Sequence, residues 1–232
     1  QLKLFDPVST GSQGTLKDKI RGTLERMLTP GDEVFLHATL RAGASSLLES
    51  GIDLLKSRRY LDLGCGVSFY LHPLDQLEDA IEWAEREFAH QTEPGPPPEC
   101  ALLVFVVPDS WRADVSRGRT YDWFELITRE TRDTWMQLVR ESRMEQKTAL
   151  TRQADASAYV LGPIAKSFSL RTRPKRPVVP MTRRDDVGVP LLQLALKAPA
   201  VDYFSGHLRV IWSWQPNPRA APDASMAASM AA

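Results

Sequence analysis

A handful of residues could do chemistry in this chain. His37 and Thr39 stand two apart where the apolar run Val34-Phe35-Leu36 ends, so a ring nitrogen and a hydroxyl share one strand end. Gly64 and Gly66 flank Cys65 after Leu61-Asp62-Leu63. A glycine turn of this kind lets backbone approach a ligand that a side chain would block. Tyr70 and Trp83 offer large aromatic faces, which suit a flat or cationic ring. Gln193 can donate and accept hydrogen bonds but carries no charge and cannot serve as a base. Cys65 is a conceivable thiol nucleophile, although no basic neighbour in the sequence requires it. Cys65 and Cys100 are the two cysteines, and their spacing has no Cys-x-x-Cys form, so neither a metal centre nor a disulfide framework is expected. Each residue also has a plain structural role: His37 as a polar strand end, Thr39 as a turn hydroxyl, Tyr70 as core.

Periodicity supplies the elements that must position these groups. Ile20, Leu24 and Leu28 predict a helix over 17–28, stopped by Thr29-Pro30-Gly31-Asp32. Glu33 to Leu36 predicts a strand running into His37. Ala42 to Ser50 predicts a helix closed by Gly51. Val67 to Leu71 reads as strand. Leu74, Leu77, Ile81, Ala84 and Phe88 form one helical stripe, and Trp83 lies off it. Ala101 to Val107 predicts a buried strand, and Tyr121 to about Glu145 a helix. Strands are expected at Tyr159 to Leu161, Val189 to Leu196 and Leu208 to Trp214. Irregular mixing of strands and helices predicts one α+β domain over 33–214, preceded by a helical extension over 1–32 and followed by a disordered tail over 215–232.

Composition narrows the classes. The chain has 232 residues, with 29 basic and 29 acidic side chains, so no overall basic excess points to nucleic acid. The stretch Arg171 to Arg184 is locally basic; it reads as a solvated loop, or as a surface docking an acidic protein or a phosphate backbone. No apolar run approaches the ~20 residues that span a bilayer, and the first residues carry no signal-peptide pattern. No membrane partner and a cytoplasmic or nuclear location are expected.

The run Leu61-Asp62-Leu63-Gly64-Cys65-Gly66 resembles the first motif of class I methyltransferases, which would imply S-adenosylmethionine. Its surroundings fit that poorly. Lys56-Ser57-Arg58-Arg59 precedes it where a buried strand is needed, and strand-like residues with Pro73 follow where a helix should open. A second resemblance covers more of the chain. The order Val34-Phe35-Leu36-His37-Ala38-Thr39, Ser50-Gly51-Ile52-Asp53, the glycine run, Phe69-Tyr70-Leu71, and Asp79-Ala80-Ile81-Glu82-Trp83-Ala84 resembles the NAD-binding half of ADP-ribosyltransferases related to poly(ADP-ribose) polymerases and diphtheria toxin. Within them it is most similar to a family of uncharacterised ADP-ribosyltransferase-like domains. Tyr121-Asp122-Trp123-Phe124-Glu125, Ala158 to Ala165, and Leu192-Gln193-Leu194-Ala195-Leu196-Lys197 continue the likeness to about residue 204.

This resemblance implies an ADP-ribosyltransferase fold of two short packed β-sheets with flanking helices. It implies NAD as substrate and transfer of one ADP-ribose to an acceptor, expected to be protein, or to water as an NAD glycohydrolase. By it, His37 would bond a ribose hydroxyl, Ala38 and Thr39 would bind near the nicotinamide amide, and Tyr70 would stack on the ring. Trp83 would be a second stacking candidate, and Gly64 and Gly66 would line the cofactor site. Gln193 stands where many active transferases carry Glu, so with His37 and Tyr70 it would complete a catalytic trio lacking a base. Ala38 replaces the family's usual Gly, and Val67-Ser68 are two extra residues before Phe69-Tyr70. The alternative is the same fold acting as an NAD- or ADP-ribose-binding or protein-interaction module without turnover.

Overall fold

The structure, a computed structural model, describes residues 3–5, 16–56, 62–89, 98–115, 124–166, 177–183 and 188–216. In chain order the elements are β1 (Lys3–Phe5), α1 (Leu16–Met27), β2 (Glu33–Leu40), α2 (Arg41–Ser50), β3 (Phe69–Pro73), α3 (Leu77–Ala89), β4 (Cys100–Val107), α4 (Trp111–Val115), β5 (Phe124–Glu125), α5 (Arg132–Arg143), α6 (Ala149–Ala156), β6 (Tyr159–Pro163), β7 (Leu192–Leu196), α7 (Ala198–Ser205) and β8 (Leu208–Trp214). The chain is α+β, as expected.

The strands join in the order β1-β8-β4-β2-β3-β7-β6-β5. The six central strands run antiparallel, and the short strands β1 and β5 add parallel edges. The expected pair of packed sheets is therefore replaced by one continuous order. The physical reason is the seam between β2 and β3. There the strands pair at Phe35↔Pro73 and Leu36↔His72 and then part, whereas β2 pairs with β4 along its whole length. Two half-sheets thus stay hydrogen-bonded through a narrow join, and their faces share a core. Phe35, Leu103, Phe105 and Ile211 from one half meet Leu71, Tyr159, Leu194 and Leu196 from the other, under Trp111, Val201 and Phe204.

Alternation along β2 sends Phe35 to that core and Val34, Leu36 and Ala38 to a second one against α1 and α3, the period of two that a strand buried on both faces requires. Ile20 and Leu24 of α1 are fully buried in the second core, so the N-terminal helix is a packed part of the body. A third core lies over β6 and β7, with Trp135, Leu138, Val139 and Ala154 of α5 and α6.

Most elements stand where the periodicity puts them, and Gly51 closes α2 with φ 74°, its N–H bonding Leu47 O at 2.9 Å. The helix expected from Tyr121 to Glu145 does not form as one piece. Phe124–Glu125 instead extends the sheet beside β6, and Leu126 N–H continues that pairing to Leu161 O. A turn held by Thr128 and Thr131 then precedes α5, and Ile127 is exposed. An open strand edge satisfies these backbone groups, which local apolar spacing does not register. The expected tail from residue 217 onward and the basic stretch at 171–176 and 184 lie outside the described residues. Arg183 is described and forms an ion pair with Asp75.

Candidate functional site

Where β2 and β3 part, a cleft of about 340 Å³ opens. His37 is the first residue of β2 beyond the paired seam. Its ring does what backbone does elsewhere in the ladder: Nδ1 bonds Tyr70 O at 2.8 Å. The ring also lies against Phe69, with centroids 4.2 Å apart. Burial pushes its pKa down to about 4, against the opposing pull of the Tyr70 carbonyl, so the imidazole is neutral at ordinary pH. A carbonyl partner fixes the proton on Nδ1 and leaves Nε2 with a lone pair able to accept an O–H.

Thr39, Leu40 and Ala38 follow His37 along the cleft wall, and α2 begins there with Ala42, Gly43, Ser46 and Leu47. Gly43 leaves space for Thr39: a Cβ on Gly43 would lie 2.8 Å from Thr39 Oγ1. Leu40 is the residue capping α2 and makes no side-chain cap bond, so it spends no oxygen on the first-turn amides that a helix leaves without internal partners. Trp83 and Phe88 of α3 form an aromatic wall, edge to face at 5.9 Å. Ser68, just before β3, and Tyr70 of β3 border the cleft. Tyr70 also packs against the third core, and its hydroxyl is pushed toward higher pKa by burial and by the Asp62 charge, with Ser68 and the Leu63 backbone as hydrogen-bond partners opposing this. Asp53, on the segment leaving α2, completes the lining.

Five expected site residues therefore share one cleft: His37, Ala38, Thr39, Tyr70 and Trp83. Gln193, Gly64 and Gly66 are not among the residues lining it. Gln193 sits on β7, which neighbours β3, and faces Gly162 of β6 in the ladder. It is 7% exposed, and its Nε2 is buried with no hydrogen-bond partner among the described residues.

The glycine turn is committed elsewhere. Lys197, 2% exposed at the end of β7, donates from Nζ to Leu63 O and Ser68 Oγ, both at 2.8 Å, and to Asp155 Oδ1 at 3.3 Å. Asp155 in turn accepts the Cys65 and Gly66 amides at 3.2 and 2.9 Å, and Ser142 Oγ accepts the Gly64 amide at 3.0 Å. Gly64 has φ 117°, and a Cβ there would lie 2.2 Å from Asp155 Oδ1. The glycines thus allow backbone to wrap the pair of a buried lysine and a half-buried aspartate, and their amides are already bonded within the protein. The turn leads into an antiparallel strand rather than a helix, so the arrangement offers no support for an S-adenosylmethionine site. Cys65 is held toward higher pKa, first by burial and then by Asp155, which disfavours the thiolate that a nucleophile needs.

Arg143 is a further tether that sequence reasoning missed. It grips Asp62 at 2.6 and 3.0 Å and caps the Ala165 and Lys166 carbonyls. Asp155, Lys197, Ser142 and Arg143 left little local signal; a lysine ending a buried apolar run was the one hint. Among the described residues there is no metal-binding group of His, Cys, Asp or Glu, and no helix is long and apolar enough to cross a membrane. Comparison with protein-family models, curated proteins and solved structures gives no match.

Proposed function

We propose that this cleft binds NAD and that the chain cleaves the nicotinamide–ribose bond, passing one ADP-ribose to an acceptor, taken to be protein, or to water. The observation carrying this reading is the convergence of His37, Thr39, Tyr70 and Trp83, from three separate elements, on a single cleft. Its volume lies within the roughly 300–1,000 Å³ of small-molecule sites. The fold this reading assigns is an ADP-ribosyltransferase fold. Support comes from the placement of the resembling segments: the strands bearing His37, Tyr70 and Gln193 are adjacent, in the order β2-β3-β7.

In this reading Nε2 of neutral His37 accepts a ribose hydroxyl, and the aromatic wall holds the nicotinamide ring. The first turn of α2 faces the diphosphate, where helix amides favour negative charge. The glycosidic C–N bond breaks with its electron pair on the nicotinamide nitrogen, which departs neutral, so no general acid is needed. Positive charge passes to ribose C1 and its ring oxygen, as in glycoside hydrolysis. The acceptor oxygen or nitrogen then bonds C1 and loses its proton.

A second reading keeps the NAD cleft without turnover. The placement of Gln193 favours it, because an uncharged side chain outside the cleft lining brings no base to the ribose.

The deciding experiment is nicotinamide release from NAD by the purified chain, beside His37→Ala, with thermal stabilisation by NAD measured in parallel. Release by the wild type that falls at least about a hundredfold in His37→Ala supports transfer or hydrolysis; such a factor corresponds to about 2.7 kcal/mol of lost transition-state stabilisation. Stabilisation without release selects the binding module. Stabilisation by S-adenosylmethionine and not by NAD would sink both.

A further inference from the structure

The glycine turn and the cleft meet at Ser68. Buried Lys197, just past β7, spends the three donors of its ammonium on Leu63 O and Ser68 Oγ at 2.8 Å and on Asp155 Oδ1 at 3.3 Å. Leu63 and Ser68 stand on either side of residues 64–67, so one ammonium staples both ends of the turn and fixes where the chain leaves it for β3. Ser68 lines the cleft, as does Tyr70 two residues on, and the Tyr70 hydroxyl bonds Ser68 and the Leu63 backbone. Tyr70 is pinned at its backbone too: its register partner on β7 is Ala195, and its carbonyl bonds His37 Nδ1 at 2.8 Å. Val67-Ser68 are the two residues by which the chain exceeds the pattern it resembles. Stability alone does not call for an ammonium here, because a buried ion pair replaced by apolar side chains of similar volume often folds as well.

We propose that Lys197 is a positioning residue of the cleft: its ammonium fixes Ser68, and Ser68 fixes the Tyr70 hydroxyl, so that Tyr70 is held in one pose before the ligand arrives. The inference rests on the NAD reading above and deepens it. A tyrosine that swings freely has to be ordered when a ligand binds, and ordering one such side chain weakens binding roughly two- to tenfold. A hydroxyl tied down in advance removes that cost, and it keeps the ring where the nicotinamide must lie for the bond to break. Lys197 itself does not line the cleft. It acts through Ser68 and Tyr70 and exchanges no proton with the ligand.

The test uses the full chain and NAD, with dissociation constants from calorimetry for the wild type, Ser68→Ala, Tyr70→Phe and the double variant. Each single change is expected to weaken NAD binding roughly two- to tenfold. The double variant should lose no more than either alone, because both changes cut the same link. Losses that multiply would mean that Ser68 and Tyr70 act separately, and single variants that bind as the wild type does would equally overturn the proposal. A second measurement needs no ligand: the carbon-13 signal of the hydroxyl-bearing ring carbon of Tyr70, identified by its absence from Tyr70→Phe. That signal should move in Ser68→Ala, and also in Lys197→Met combined with Asp155→Asn, which removes both charges together. A signal that stays in place in Ser68→Ala, or that moves there and not in the charge-free variant, shows that Lys197 has no hold on Tyr70. If the wild type binds no NAD, the NAD reading falls, and the ring signal still decides for or against Lys197.

Discussion

Two regions hang from the start of β3, and they behave as opposites. On one side is the glycine turn, which looks like a ligand motif and is closed on itself around Lys197 and Asp155. On the other is the cleft, which has no conspicuous motif and is built from the end of β2, the start of α2 and one wall of α3. The difference lies in what each spends its polar groups on. The turn has used its amides on a half-buried carboxylate, which offsets the desolvation of buried Lys197. The cleft instead sets an imidazole and two aromatic faces at an opening between strands that have stopped pairing. Glycine in a sequence marks close approach, and here what approaches is the protein's own side chain.

This contrast predicts that turn substitutions cost stability while cleft substitutions cost binding. Asp155→Ala should have the largest effect. It strips a 2% exposed ammonium of its partner and leaves two amides unsatisfied. Loss of one member of a buried pair costs about 3–5 kcal/mol; with Asp155 half-buried the cost should sit at or below the lower end of that range, a fall in melting temperature on the order of 10 °C for a chain of this size. Thermal denaturation followed by circular dichroism would check it, and a melting temperature within 2 °C of wild type would end the claim that the turn is structural. Gly64→Ala should follow closely, since it adds a clash with Asp155 to a backbone conformation that favours glycine.

An intermediate effect is expected with pH. Unfolded histidine titrates near 6.5, while His37 titrates at about 4 in the fold and His72 is also lowered, in both cases chiefly by burial. Between those values the unfolded chain holds more protons, so stability falls as pH drops from about 6.5 toward 4. His37→Asn should flatten part of that slope, His72 supplying the rest. Urea denaturation at pH 7, 5.5 and 4.5 measures it; an unchanged slope in the variant would mean that His37 is protonated in the fold.

The smallest effect is expected at Gln193. Its Nε2 is buried with no partner among the described residues, so Gln193→Met removes an unmet donor at similar volume. Stability should stay level or rise by up to about 1 kcal/mol, with NAD binding unchanged. A large loss of nicotinamide release in this variant would instead restore Gln193 to the catalytic set expected from sequence and would break the separation drawn between cleft and strand.

The sequence by itself determined the strands at Glu33, Ala101, Tyr159 and Leu208, the helix stops at Thr29 and Gly51, and the α+β class. These follow from side-chain periodicity and turn chemistry, which act over a few residues. It also indicated His37, Ala38, Thr39, Tyr70 and Trp83 as neighbours of one site, through a likeness in their order along the chain. Tertiary structure alone decided three things. Residues 124–125 became an edge strand because β6 offered free backbone partners. The glycine run became a wrapping for the ion pair of buried Lys197 and half-buried Asp155 because these residues, 42 apart, meet beneath it. The cleft opened beside His37 because β2 and β3 pair over two residues and then part. Each depends on contacts between distant segments, whose burial and charge compensation exist only once the chain has closed on itself.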